Sequence, residues 1–210
     1  MRRYTAITTE LLGHRLTELL LARHDGRRPL RVALDAPIWV RTEPLVDELR
    51  TGLLAAGHPV GVVQACDFYR DASLRFEYGK TDVESFYTGW LDRAALQREV
   101  LDPVAATEDA HYLPALRDPA TNRAIRTRPQ PLSASGVLLV RGELLLGAGL
   151  GFDVAVHLAV SRAARKRQVP QELSWTLPAF DRYDIDVNPA ALADVVIRYD
   201  DPAHPAMSVR

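Results

Sequence analysis

The chain has 210 residues, with 26 Lys and Arg against 27 Asp and Glu and a formal charge of −1. That length suits one α/β domain with a full core, and the near-neutral balance argues against an electrostatic nucleic-acid binder. No apolar run reaches the ~18–20 residues of a membrane span, and the lone cysteine, Cys66, excludes an internal disulfide and fits a reducing cytoplasm.

Thr8 or Thr9 is placed to cap a first helix in which Leu12, Leu16, Leu19 and Leu20 recur at helical spacing, ending at the turn His24-Asp25-Gly26-Arg27. Residues 1–29 read as an N-terminal helical segment, and 30–210 as a single α/β domain. The run from Arg31 to Leu34 does not alternate, which predicts a strand buried on both faces. A helix follows from about Thr42 to Ala56, with Leu45, Leu49 and Leu53 on one face, Pro44 in its first turn and Gly57 closing it. Val60 to Ala65 is a second strand, running into Cys66-Asp67-Phe68-Tyr69. Residues 71–90 mix polar and aromatic side chains, which suits a substrate-side loop and short helix better than core. Asp92 to Val100 reads helical and stops at Asp102-Pro103, and 105–135 read as an irregular insertion with short hairpin strands. Further strands are predicted at Val137–Val140, Phe152–Leu158 and Val195–Tyr199, with a basic helix at Ser161–Arg167. Strands alternating with helices predict a doubly wound, mainly parallel sheet.

The first strand–loop–helix turn reads Asp35-Ala36-Pro37-Ile38-Trp39-Val40-Arg41-Thr42-Glu43. It stands where a phosphate-binding loop, G-x-x-x-x-G-K-[ST], would lie. Laid without gaps, that pattern puts Ala36 and Arg41 at its glycines, Thr42 at its lysine and Glu43 at its hydroxyl residue. The frame is kept and the phosphate chemistry is lost.

Several stretches fall in the order of one known family: Val32-Ala33-Leu34-Asp35, Leu45-Val46-Asp47-Glu48-Leu49, Asp67-Phe68-Tyr69-Arg70, and Asp82 to Tyr87 with Leu101-Asp102-Pro103. Leu138-Leu139-Val140-Arg141-Gly142, Leu177-Pro178-Ala179 with Arg182-Tyr183, Ala193 to Ile197 and Asp200-Asp201-Pro202 continue the order. Together they resemble the uridine kinase and phosphoribulokinase-like branch of the P-loop kinases, over about residues 30–205. The resemblance implies a three-layer αβα, P-loop-kinase-like fold with a small helical lid near 161–176. It also implies a family activity that uses ATP and magnesium, and three departures stand against that activity here. The degenerate donor loop, Ala36 to Glu43, lacks the glycines and lysine that hold phosphate. The family's catalytic aspartate aligns with Cys66, leaving Asp67 as a displaced carboxylate. The acidic residue that ends the Val137–Val140 strand in the family is Arg141 here. Trp39 is then a candidate to fill the emptied donor site. A one-residue deletion would instead align Val40-Arg41-Thr42 with the family's G-K-T, and Arg41 would supply the missing charge.

Cys66, at a strand's carboxyl end, is a nucleophile candidate with His111 as activating partner; the plainer reading is a small buried residue that replaced aspartate. Phe68, Tyr69, Phe76, Tyr78, Phe86 and Tyr87, with Tyr112 near the insertion, form an aromatic set that either frames a substrate pocket or packs beneath a loop. Asp82 and Glu84 are candidates to grip sugar hydroxyls. Arg162, Arg165 and Arg167 align with the lid arginines of the family, an anion-binding reading set against an ordinary solvated face. His157, inside an apolar strand, reads as a satisfied core residue. No histidine or cysteine spacing marks a metal site, so neither metal nor cofactor is expected. The leading expectation is a repurposed kinase homologue, or pseudokinase, that binds a nucleoside-like or small polar metabolite. A working nucleoside-type kinase using Arg41, with ATP and magnesium, is one alternative; a non-catalytic interaction protein, a homodimer through the first helix included, is the other.

Overall fold

The computed structural model describes residues 2–106 and 109–210. Among them seven strands form one sheet: β1 (Thr5–Ala6), β2 (Leu30–Asp35), β3 (Val60–Gln64), β6 (Val137–Gly142), β7 (Val154–Ala159), β8 (Val195–Arg198) and β9 (Ala206–Val209). Their spatial order is β1-β9-β8-β7-β2-β6-β3, and β4 (Asp109–Tyr112) pairs with β5 (Gln130–Ser133) in a separate antiparallel hairpin. The five strands from β3 to β8 are parallel, while β9 and β1 close one edge antiparallel. This is the mainly parallel, three-layer αβα arrangement that the alternating pattern predicts, with the two antiparallel strands added.

Alternating strand residues bury two separate cores. Val32, Leu34, Leu139, Val154 and Val156 pack under α1 (Thr9–Arg23) and α2 (Glu43–Ala55). Ala33, Leu138 and Val140 face the helices of the other side. That side carries α3 (Ala72–Arg75), α4 (Val83–Gly89), α5 (Arg93–Leu96), α6 (Asp102–Ala106), α8 (Leu177–Asp186) and α9 (Pro189–Leu192), while α7 (Arg162–Gln168) buries Ala164 in the core under α1 and α2.

The N-terminal helical segment, 1–29, packs on the sheet. Thr8 caps α1 by accepting from the Leu11 N–H, and Leu12, Leu16 and Leu20 are buried in the same core as Leu45, Leu49 and Leu53 of α2. The apolar stripe of α1 is therefore covered within the chain, and β1 supplies part of the sheet. The helix predicted to stop at Asp102-Pro103 continues instead through a π turn, Gln97–Leu101, into α6. Pro103 cannot donate to the Glu99 carbonyl four residues back, and that carbonyl accepts from the Leu113 N–H at 3.0 Å. The widened turn relieves the proline clash without leaving an acceptor empty.

Candidate functional site

The carboxyl ends of β2, β3 and β6 meet the start of α2 at a cavity of about 290 Å³, lined among others by Ala36, Thr42, Cys66, Tyr69, Arg141 and Glu143. In open α/β sheets this is where ligands bind, beside the strand at which the order reverses. Parity explains the charge found there. Val137 and Leu139 bury on the α2 side of β6, so Arg141, two residues on, turns to the same side. Its Nη1 donates to Thr42 Oγ1 at 3.0 Å and to Glu43 Oε1 at 2.8 Å. Thr42 forms no side-chain cap on α2, its hydroxyl accepting from the guanidinium instead. Those contacts hold the Glu43 carboxyl below the usual carboxylate range, the hydrogen bond from Arg141 contributing most.

Gly142, next in β6, lies so close to the turn that follows β3 that an added Cβ would stand 2.5 Å from Ala65 Cβ. Glu143 follows, 7% exposed, and accepts a hydrogen bond from the Tyr69 hydroxyl. Burial raises its carboxyl, with the Tyr69 bond opposing. Leu144 then takes a positive φ of 55°, a conformation costly for a side chain with a Cβ. The turn is held by the Leu145 N–H donating to Asp35 Oδ1 at 2.9 Å and the Leu146 N–H donating to the Tyr183 hydroxyl at 2.9 Å.

Cys66 and Asp67 sit in a 3-10 turn, Ala65–Phe68, rather than on an extended strand. Cys66 lines the cavity, while Asp67 is absent from its lining and packs against the insertion, its carbonyl accepting from Leu116 and Arg117 N–H. Burial, with Glu143 and Asp67 nearby, pushes the Cys66 thiol up to about 12, so it stays protonated near neutral pH and is a poor nucleophile. Burial, then Asp118, also raises the Asp67 carboxyl. His111 lies on β4 and does not line the cavity.

The other predicted binding residues are placed differently. Phe68 is fully buried, and Phe86, 3% exposed, packs edge-on to Trp90 at 5.1 Å and Trp175 at 5.5 Å. Trp90 also meets Tyr69 at 5.5 Å and Phe76 at 5.6 Å. The rings pack on one another, and the crevice beside Tyr87, Trp90 and Glu143 holds only about 10 Å³. Tyr78 is outside this cluster and 76% exposed. Asp82 caps α4, accepting from the Ser85 N–H at 2.7 Å. Glu84 pairs with Arg182, whose guanidinium also lies 4.4 Å above the Tyr87 ring. Tyr112 crosses β3 at Gly61 and donates to Gln130 Oε1 at 2.9 Å.

The donor loop and lid divide in the same way. Trp39 turns away from the cavity to pack edge-on against Phe180 of α8, ring centroids 4.9 Å apart, so it does not fill the space at Arg141. Arg41 is exposed and lines a different cavity with Trp39, Pro44 and Tyr199. Arg162 pairs with Asp181 at 2.8 Å, and Arg165, 5% exposed, pairs with Asp184 at 2.7 Å; Arg167 is exposed. Two of the three lid arginines are thus neutralised by α8. The residues that sequence reasoning passed over are Gln64, Asp35 and Glu143; a polar residue at the carboxyl end of each of three adjacent strands was the available signal.

Among the described residues no group of three or more His, Cys, Asp or Glu is placed to hold a metal ion. No helix among them is long and apolar enough to cross a membrane. The sequence matches no protein-family model and no curated protein. The fold does match solved structures. One is described as a "possible uridine kinase" from Bacillus stearothermophilus, with a TM-score of 0.68 and 20% identity over 88% of this chain and 96% of that one. Another is a "putative fructose transport system kinase" from Silicibacter sp. TM1040, with a TM-score of 0.58 and 22% identity over 89% of this chain and 95% of that one. The chain shares the three-layer αβα, P-loop-kinase-like fold of these structures.

Proposed function

We propose that the chain is a repurposed kinase scaffold that binds a small polar metabolite at the Arg141 cavity without using metal-bound ATP. The observation that carries this reading is the Arg141 guanidinium bonded to Thr42 Oγ1 and Glu43 Oε1. In P-loop enzymes a cationic metal is held between the helix-start hydroxyl and a carboxylate on a neighbouring strand, facing the phosphates. Here a side-chain cation takes the helix-start acceptors, and the strand end offers no carboxylate at position 141. These residues do not fit a metal–triphosphate, so we derive no phosphoryl transfer through one. Arg41, exposed beside a different cavity, does not restore the charge at this point.

A volume of about 290 Å³ lies at the lower end of small-molecule sites. Donors from Arg141 and acceptors from Glu143 and Gln64 suit a hydroxylated compound the size of a sugar or the ribose of a nucleoside. A nucleoside would have to seat its base outside the aromatic cluster, which is packed closed. The role follows as binding, in a regulatory or a non-kinase setting, with neither nucleic acid nor membrane as partner.

A thermal-shift screen with uridine, cytidine, ribose and fructose tests this. A compound present at about one hundred times its dissociation constant adds about 2.7 kcal/mol of stability. A shift that is lost in Arg141→Gln supports the cavity as the site. No shift with any of the four removes the small-polar-metabolite reading and leaves the interaction-protein alternative.

A further inference from the structure

Asp35 and His157 are paired residues of adjacent parallel strands, β2 and β7. Asp35 is 1% exposed, and its carboxylate is fully engaged. Oδ1 accepts from the Leu145 N–H, and Oδ2 accepts from His157 Nδ1 at 2.7 Å and from the Tyr183 hydroxyl at 3.2 Å. A histidine held through Nδ1–H has a fixed ring, and its remaining nitrogen, Nε2, is an acceptor when the ring is neutral. His157 is 5% exposed, yet Nε2 makes no hydrogen bond to any described residue. The expectation of a satisfied core residue is met at Nδ1.

The ring lines a cavity of about 420 Å³ over β7 and β8, which shares no lining residue with the Arg141 cavity. Its wall carries two carboxylates and two guanidiniums. Asp184 is bound by Arg165, and Asp200 is held by neutral donors, accepting from the Ser161 N–H at 2.6 Å and from Ser161 Oγ at 2.7 Å. Arg198 is the guanidinium in the wall without an ion pair to a described carboxylate, and it lies 4.0 Å over the Tyr4 ring. A guanidinium whose donors are not paired can take an oxyanion, and a fixed Nε2 acceptor can take a hydroxyl.

We propose that this cavity binds a small hydroxylated oxyanion, a hydroxy acid or a sugar phosphate, with Arg198 pairing its charge and His157 Nε2 accepting from its hydroxyl. Tyr183 and Asp35 act as positioning residues that hold the imidazole edge toward the ligand.

The test is carbon–proton NMR of the histidine rings in the full chain, which holds six histidines. The His157 signal is identified by its loss in His157→Asn, or by elimination with variants of the other five if that protein does not fold. Glycerate and ribose 5-phosphate are titrated separately. The expected result is a saturable shift of the His157 resonance with at least one of them, weakened about tenfold or more in Arg198→Gln. A response to glycerate alone identifies a carboxylate ligand, and one to ribose 5-phosphate alone a phosphate. Failure of both to move the His157 signal overturns the proposal, as does an unchanged midpoint in Arg198→Gln. Binding at the Arg141 cavity would stabilise the protein without a saturable His157 shift, which keeps the two sites distinguishable.

Discussion

Two regions at the carboxyl end of the same sheet have gone opposite ways. Around Arg141 a cavity stays open, and its charge is arranged side chain to side chain, guanidinium to hydroxyl to carboxylate. Around Trp90 the aromatic side chains close on one another and leave almost no space. Glu143 and Tyr69 stand in the wall between the two. The contrast teaches that aromatic composition near a site does not mark a pocket. Rings that find each other at edge-on distances give packing energy first, and a cavity persists where charged groups need water or a ligand.

The contrast breaks most visibly by mutation on the packed side. Phe86→Ala removes a ring that is 3% exposed and in contact with Trp90, Trp175 and Phe180. It is expected to cost about 3–5 kcal/mol in urea unfolding; a loss below about 1 kcal/mol would mean that the cluster is a loose pocket lining.

The wall itself has a pH signature. The folded-state Glu143 carboxyl is raised by burial, with Asp35 adding and the Tyr69 bond opposing. Between its ordinary value of about 4.3 and the raised one, the folded state binds more protons than the unfolded state. Wild-type stability therefore falls as pH rises through that window. Glu143→Gln lacks this dependence, so its stability relative to wild type should grow from about pH 4 upward. Parallel stability curves would show that Glu143 is solvated.

The smallest effect belongs to the open side. Arg141→Gln breaks a pair whose Glu43 partner is 52% exposed, so the expected change in unfolding free energy is within about 1 kcal/mol. A larger loss, read in the same urea experiment, would make Arg141 a structural strut and weaken its assignment to a site.

The sheet was legible in the sequence because uninterrupted apolar runs such as Val137–Val140 declare buried parallel strands. The two strands at the antiparallel edge were not: Thr5–Ala6 is two residues long, and Ala206–Val209 carries no strong apolar run. Pro103 suggested a helix end because a local rule cannot see the Leu113 N–H that takes up the freed carbonyl. At the site, Arg141 and Cys66 stood out as departures from a resembled pattern, and both line the cavity. The roles of Asp82, Glu84, Arg162 and Arg165 were hidden because a charged residue's task depends on its partner. Ser85, Arg182, Asp181 and Asp184 become neighbours only through folding.

Calorimetry of the wild-type chain with magnesium–ATP tests the central claim most directly, that Arg141 and Glu43 answer each other's charge where a metal-bound triphosphate would need to sit. No saturable heat is predicted. Saturable binding that is lost on removing magnesium would contradict the account.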